Sequence, residues 1–254
     1  MTRLSVTGQP VPESVQHLQV RYAKRGRMRF ASHRDIARAV ERGVRKAGLP
    51  IAYSAGYSPH PKISYAGAAA TGVASEAEYL ELAFTSPCTP EDVRARLDAA
   101  LPDGIDVIEV VERGAQLPLG RLEASHWQVT LPGVRPAAAE QAVGALLASS
   151  RVEVERLTKK GMRRMDARAA VISMELDRRA TAARPDGCVI LRMVVRHMTP
   201  AVRPDDILAA LAGLTPSAPP LITRLAQGPL EGAAATACPG TDLPVTAAGR
   251  ERET

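Results

Sequence analysis

The sequence predicts an α+β fold, and three observations carry that expectation. Short segments alternate apolar and polar residues, two helices have strong capping signals, and the order β-α-β-β-α-β reads twice along the 254 residues. That order is the split βαβ plan, so two tandem ferredoxin-like (βαββαβ) units are expected, a basic one at 17–113 and a second at 121–230. A flexible lead-in over 1–16 precedes them. A disordered tail over 231–254 follows, because its Ala, Thr, Pro and Gly cannot build a core.

In the first unit His17–Tyr22 places Leu18, Val20 and Tyr22 on one face, as a half-buried strand does. Ser32 is a helix N-cap with Asp35 three residues on, in the capping-box position. Ile36, Val40 and Val44 give that helix its apolar stripe until Gly48 and Pro50 stop it. Strand-like pieces follow at Ile51–Tyr53 and Lys62–Ala66, and Tyr79–Phe84 alternates again. Thr89-Pro90-Glu91-Asp92 opens a second helix with an N-cap, a proline at the first helical position and acids facing the helix dipole. Ile105–Val111 closes the unit, and Glu76, Glu78 and Glu81 are expected to face solvent.

The second unit reads as a looser copy. Strands are expected at Trp127–Leu131, Val152–Leu157, Ala169–Leu176, Cys188–Val195 and Leu221–Leu225, and helices at Pro136–Ser149 and Pro204–Leu214. One strand too many for the plan leaves its register open.

With 45% hydrophobic residues the chain can bury a core, but at 3% aromatic that core must be Leu, Val, Ile and Ala. Cys88, Cys188 and Cys238 are too scattered for a zinc or iron–sulfur spacing, so no metal and no cofactor is expected. An odd, scattered set fits a reducing compartment, and no apolar run approaches the roughly 18–20 residues of a membrane span. A cytoplasmic location is expected. There is no Walker loop, GxGxxG, HExxH or GxSxG.

Charge is distributed unevenly. Between His17 and Tyr65 stand eleven lysines and arginines against Asp35 and Glu41, a net +9, whereas the whole chain carries +6. Arg34, Arg38, Arg42 and Lys46 recur every four residues, which makes one cationic ridge on the first helix. Arg25, Arg27 and Arg29 feed its N-terminus, where free backbone N–H groups and guanidinium forks favour phosphate oxygens. Lys159, Lys160, Arg163 and Arg164 form a second basic patch on a hairpin that could clamp a nucleic-acid backbone.

The loop Gly56-Tyr57-Ser58-Pro59-His60-Pro61-Lys62 is the remaining candidate. Two prolines restrict the backbone around His60, Tyr57 is a ring on which an unpaired base can stack, and Lys62 adds a cation. His60 and His33 are the residues that a catalytic reading would use as bases.

Phe30-Ala31-Ser32-His33-Arg34-Asp35, Arg45-Lys46-Ala47-Gly48-Leu49-Pro50, Ser54 to Ser64 and Gly72-Val73-Ala74-Ser75-Glu76-Ala77-Glu78-Tyr79 resemble, in order, the motifs of a radical-SAM-linked family of unknown function. Lys159-Lys160-Gly161 with Asp166-Ala167-Arg168 resembles its second-half signature. Members are fused behind a radical-SAM domain or encoded separately near one. This chain lacks the CxxxCxxC motif and so resembles the separate, actinobacterial form. The resemblance implies an accessory role beside a radical-SAM partner and supplies no catalytic residue.

The expected function is RNA binding in tRNA or rRNA modification or processing. One alternative is a metal-independent endoribonuclease resembling the CRISPR repeat-cleaving proteins, with His33 or His60 as base and Tyr57 or Lys62 assisting. The glycine-rich loop of those enzymes is reduced here to Gly228 and Gly232. The other is a scaffold whose basic face docks an acidic protein.

Overall fold

The computed structural model describes residues 13–114, 119–158 and 161–230. The expected tail, and the lead-in as far as residue 12, lie outside the described residues. The last two residues of the lead-in already join the sheet, since Val15 N–H donates to the Phe84 carbonyl at 2.8 Å and strand β1 spans Gln16–Lys24.

Helix α1 (His33–Lys46) opens with the expected capping box. Ser32 Oγ accepts the Asp35 N–H at 3.3 Å, and the Asp35 carboxylate accepts the Ser32 N–H at 3.1 Å. At the far end Arg96 donates to the carbonyls of Ala47, at 3.1 Å, and Gly48, at 3.0 Å. Ile51–Tyr53 makes only isolated bridges, Ile51 to Phe84 and Tyr53 to Pro61, rather than a strand. β2 is Ile63–Ala66, and β3 runs Ala74–Phe84, five residues longer at its start than the alternation indicated. α2 (Pro90–Ala100), capped by Thr89, and β4 (Ile105–Glu112) complete the first half.

The second half contains β5 (Ala124–Leu131), α3 (Pro136–Ala148), β6 (Glu153–Thr158), β7 (Gly161–Asp166), α4 (Ala167–Ala170), β8 (Val171–Leu176), α5 (Arg178–Ala182), β9 (Val189–Arg196), α6 (Pro204–Ala209) and β10 (Leu221–Gly228). The surplus strand is β6, which pairs only with β7, a strand that was not expected, in a separate two-stranded sheet. The expected strand at Ala169–Leu176 starts late because the Asp166 carboxylate accepts the N–H groups of Arg168 and Ala169, at 3.0 and 3.3 Å, and turns the chain into α4. α6 is shorter than expected. The chain turns after it through Gly213, whose φ of 77° lies in the left-handed region.

The other eight strands form one sheet, mostly antiparallel, ordered β4-β1-β3-β10-β5-β9-β8 with β2 also on β3. The first four strands therefore lie in the order β4-β1-β3-β2, and the main-sheet strands of the second half in the equivalent order β10-β5-β9-β8. The halves meet where β10 pairs in parallel with β3, Thr223 opposite Ala74 and Arg224 opposite Ser75. One edge of β3 thus serves two neighbours, with β2 along Tyr79–Leu82 and β10 along Ala74–Ser75.

Each half buries its own apolar cluster. The first joins Leu18, Val20, Leu80, Leu82 and Phe84 to Ile36, Val40, Val93 and Leu97 of the two helices. The second joins Trp127, Val129, Leu191 and Met193 to Val143, Leu146 and Ile207. At about 1.5–3 kcal/mol per fully buried side chain, these clusters dominate the stabilisation.

Candidate nucleic-acid interface

The exposed face of α1 carries the cationic ridge. Arg34, Arg38, Arg42 and Lys46 are all exposed, and none makes an ion pair among the described residues. Each lies about 6 Å further along the axis than the last, so the ridge is about 18 Å long. The acid of this helix outside its cap, Glu41, reaches Arg45 at 4.0 Å and does not neutralise the row.

The approach to α1 is less available than its charge implied. Arg25 is held by carboxylates. It donates to Glu76 through Nε at 2.8 Å and to Asp106 at 2.9 Å, and the Glu76 hydrogen bond is the first cause of its raised pKa. The N-terminus of α1 is occupied by its own capping box, so two of the N–H positions expected to receive phosphate are already satisfied. Arg27 remains exposed on the 3₁₀ turn Gly26–Phe30. Arg29 lies on the same turn with its guanidinium 4.5 Å from the centroid of the Phe30 ring. Two backbone bonds fix the turn, Gly72 N–H to the Arg29 carbonyl at 2.7 Å and Arg25 N–H to the Gly104 carbonyl at 2.8 Å.

His33 is exposed, and its ring meets that of Tyr65 edge to face, centroids 5.1 Å apart at 88°. Tyr65 packs against the first core. Burial raises its pKa, and its hydroxyl has no hydrogen-bond partner among the described residues.

The expected proline-flanked loop is a narrow hairpin. Ser54 N–H donates to the His60 carbonyl at 2.8 Å, and His60 N–H returns a bond to Ser54 Oγ at 3.0 Å. Its stem is held by Lys62 N–H to the Ala52 carbonyl at 2.8 Å and by Ala83 N–H to the Lys62 carbonyl at 3.2 Å. His60 is exposed, Lys62 half-buried, and Tyr57 at the tip is 91% exposed. The hairpin leaves the end of the sheet toward which α1 runs, whereas the Arg27–His33 segment lies at the helix start. These residues do not converge in one pocket. They mark the two ends of the ridge.

Among the described residues neither ring of His33 or His60 has a hydrogen-bond partner, so no hydrogen bond orients either as a base. The second basic patch lies on β6–β7. Lys159 and Lys160 fall outside the described residues; Arg163 is exposed, and Arg164 donates to Glu155 at 2.7 Å. The hairpin is tied to α6 and the loop before it, with Arg156 bonding Asp206 and, at 2.9 Å, the Ala201 carbonyl.

Residues 17–204 match a family described as an uncharacterized protein conserved in bacteria (DUF2344). The chain belongs to this family. No curated protein matches it. Among solved structures it is similar to a chain of the "Crystal Structure of a Cbf5-Nop10-Gar1 Complex", at 11% identity and a TM-score of 0.42. That likeness covers 89% of this chain and 53% of the other, so this chain spans about half the length of its structural neighbour. Among the described residues no helix is long and apolar enough to cross a membrane.

The feature of this DUF2344 chain that sequence reasoning missed is a buried charged cluster at the junction of its halves. Glu78 is 2% exposed, not solvent-facing, and its carboxylate accepts from Arg224, itself 3% exposed, and from the Ala69 N–H at 3.1 Å. Arg224 also donates to Ser75 Oγ and Gln227 Oε1, each at 3.2 Å, and its guanidinium lies 5.5 Å from the Trp127 ring centroid. Lys24 donates to the carbonyls of Ala69 and Ala70, at 3.3 and 3.0 Å; burial, more than any neighbouring charge, lowers its pKa. Gln227 Nε2 bonds the carbonyls of Gly67 and Ala77, at 3.3 and 2.6 Å. The loop 67–72 is thus clamped from below, and its Gly72 N–H passes that order to Arg29. Parity was the available signal, because Glu78 shares a strand face with Leu80 and Leu82.

Proposed function

We propose that this DUF2344 chain is an RNA-binding accessory module acting with a radical-SAM partner in tRNA or rRNA modification or processing. The observation that carries the RNA reading is the ridge of four exposed cations, Arg34, Arg38, Arg42 and Lys46, unpaired among the described residues on a helix whose other face is locked into the core. Like charges four apart on a helix repel, and a polyanion relieves that repulsion while releasing its own counterions. The strand orders of the two halves support reading them as two ferredoxin-like domains, at 17–113 and 121–230, fused edge to edge. Fold by itself does not choose the ligand. The partner rests on the radical-SAM-linked motifs, among them Ser32-His33-Arg34-Asp35 and Ser58-Pro59-His60-Pro61-Lys62.

The test is fluorescence anisotropy with labelled RNA across a KCl series. If four phosphates are neutralised, log K falls against log salt with a slope of about −2.8 for a single strand, and Arg38→Ala/Arg42→Ala flattens it by about 1.4. A slope unchanged in the variant, or no binding to tRNA or rRNA, overturns the reading. Co-purification with the radical-SAM protein, with and without ribonuclease, tests the partner separately.

A further inference from the structure

We propose that the ridge holds a single-stranded polynucleotide, one unpaired base stacking on Phe30 at the start of α1 and another on Tyr57 beyond its end. This rests on the RNA-binding reading of the same helix and names the form of nucleic acid it takes.

The placement of aromatic side chains is the ground for it. The chain has two Phe, one Trp and five Tyr, few enough that each matters to the core. Tyr22, Phe84 and Trp127 are buried, and Tyr65 and Tyr79 are half-buried. The exposed ones among the described residues are Phe30 at 58%, Tyr53 at 37% and Tyr57 at 91%. A single exposed aromatic needs no explanation. Here all three flank one unpaired cationic helix, Phe30 before it and the two tyrosines on the hairpin after it.

Both rings are presented on ordered backbone. The turn bearing Phe30 is pinned by the Gly72 and Gly104 hydrogen bonds, and Arg29 covers one ring face, leaving the other for a base. Tyr57 sits on a hairpin closed by the reciprocal Ser54–His60 bonds. Bases paired within a duplex cannot lie on such rings, whereas unpaired bases can, and between the rings a cation recurs about every 6 Å to track the sugar–phosphate backbone. The span suits a segment of about five nucleotides.

The experiment measures anisotropy across a KCl series with a labelled single-stranded RNA decamer, the DNA strand of the same sequence and the RNA duplex, and with inorganic polyphosphate as a competitor without bases. The RNA strand is expected to bind at least tenfold tighter than the duplex. Phe30→Ala and Tyr57→Ala are each expected to weaken the strand by roughly 5- to 150-fold, the range for one lost stack. Neither should change the salt slope or the competition by polyphosphate. Equal binding of RNA and DNA strands supports stacking alone, and tighter RNA supports stacking with an added contact to the 2′-hydroxyl. Duplex binding as tight as strand, with both variants neutral, overturns the inference but leaves the RNA reading standing. Absence of binding to every nucleic acid overturns both.

Discussion

Glu78→Gln is the most informative stability variant, because it keeps the shape of the side chain while removing its charge and replacing one of its two acceptor oxygens with an NH2 donor. The Arg224 guanidinium, 3% exposed, is then left with neutral partners only, Ser75 Oγ, Gln227 Oε1, the Trp127 ring and at most one amide oxygen, which it cannot share with the Ala69 N–H without loss. Breaking one side of a buried ion pair costs about 3–5 kcal/mol, against a total of about 5–15 kcal/mol for a native protein. At about 2–4 °C per kcal/mol for a chain of this size, Tm should fall by roughly 6–20 °C. Urea unfolding followed by circular dichroism gives the midpoint and the slope together, and an unchanged slope identifies the loss as stability alone. In Glu78→Met/Arg224→Met neither charge remains to be left alone, so the double variant should cost less than the sum of the two single changes by about 2 kcal/mol or more. A loss under about 1 kcal/mol for Glu78→Gln, or strict additivity in the double variant, would show that water reaches the cluster and that the pair does not hold the halves together.

Two further outcomes are expected. His126 and His197 both have pKa values lowered first by desolvation, so on acidification the unfolded chain takes up protons before the folded one. Their contribution to stability is intact above about pH 6.5 and is lost as pH falls through the lower folded-state values. A pH series of urea midpoints should show this, and His126→Gln/His197→Gln should have a flatter profile than the parent; an equal or steeper one contradicts the assignment. Gly67→Ala should cost about 2–4 kcal/mol. Its φ of +58° strains any side chain, and the new Cβ would press on the Gln227 carboxamide and lie 2.9 Å from Leu122 Cδ1. A thermal melt within about 2 °C of the parent would mean that the loop has slack.

The first half was legible because its signals are local. Ser32 and Asp35 lie three residues apart, Thr89 precedes Pro90, and the apolar stripes of α1 and α2 repeat within a few turns. The cationic ridge was legible for the same reason. The fates of individual cations were not, because Arg25 meets Glu76 and Asp106 at separations of 51 and 81 residues. In the second half β6 has the same alternation as a strand of the main sheet and could not be distinguished from one by pattern, whereas its partner β7 has no alternation and was not expected as a strand. The junction cluster joins Glu78 to Arg224 across 146 residues, and most carboxylates on strands do face water. Only a comparison of each charge with the parity of its apolar neighbours would have exposed it.

The position of β10 also has a consequence for how the molecule is made. Its neighbours are β3 and β5, so the middle of the sheet is filled by the strand that leaves the ribosome last among those described. Until Leu221–Gly228 emerges, the nascent chain holds Glu78 without its Arg224 partner, and the Ala74–Ser75 edge of β3 stays open. Order can therefore spread outward from each half during synthesis, but the seam closes only after translation has passed it. A ribosome stalled before residue 221 would carry two half-sheets side by side, each with an edge competent to pair with the wrong partner.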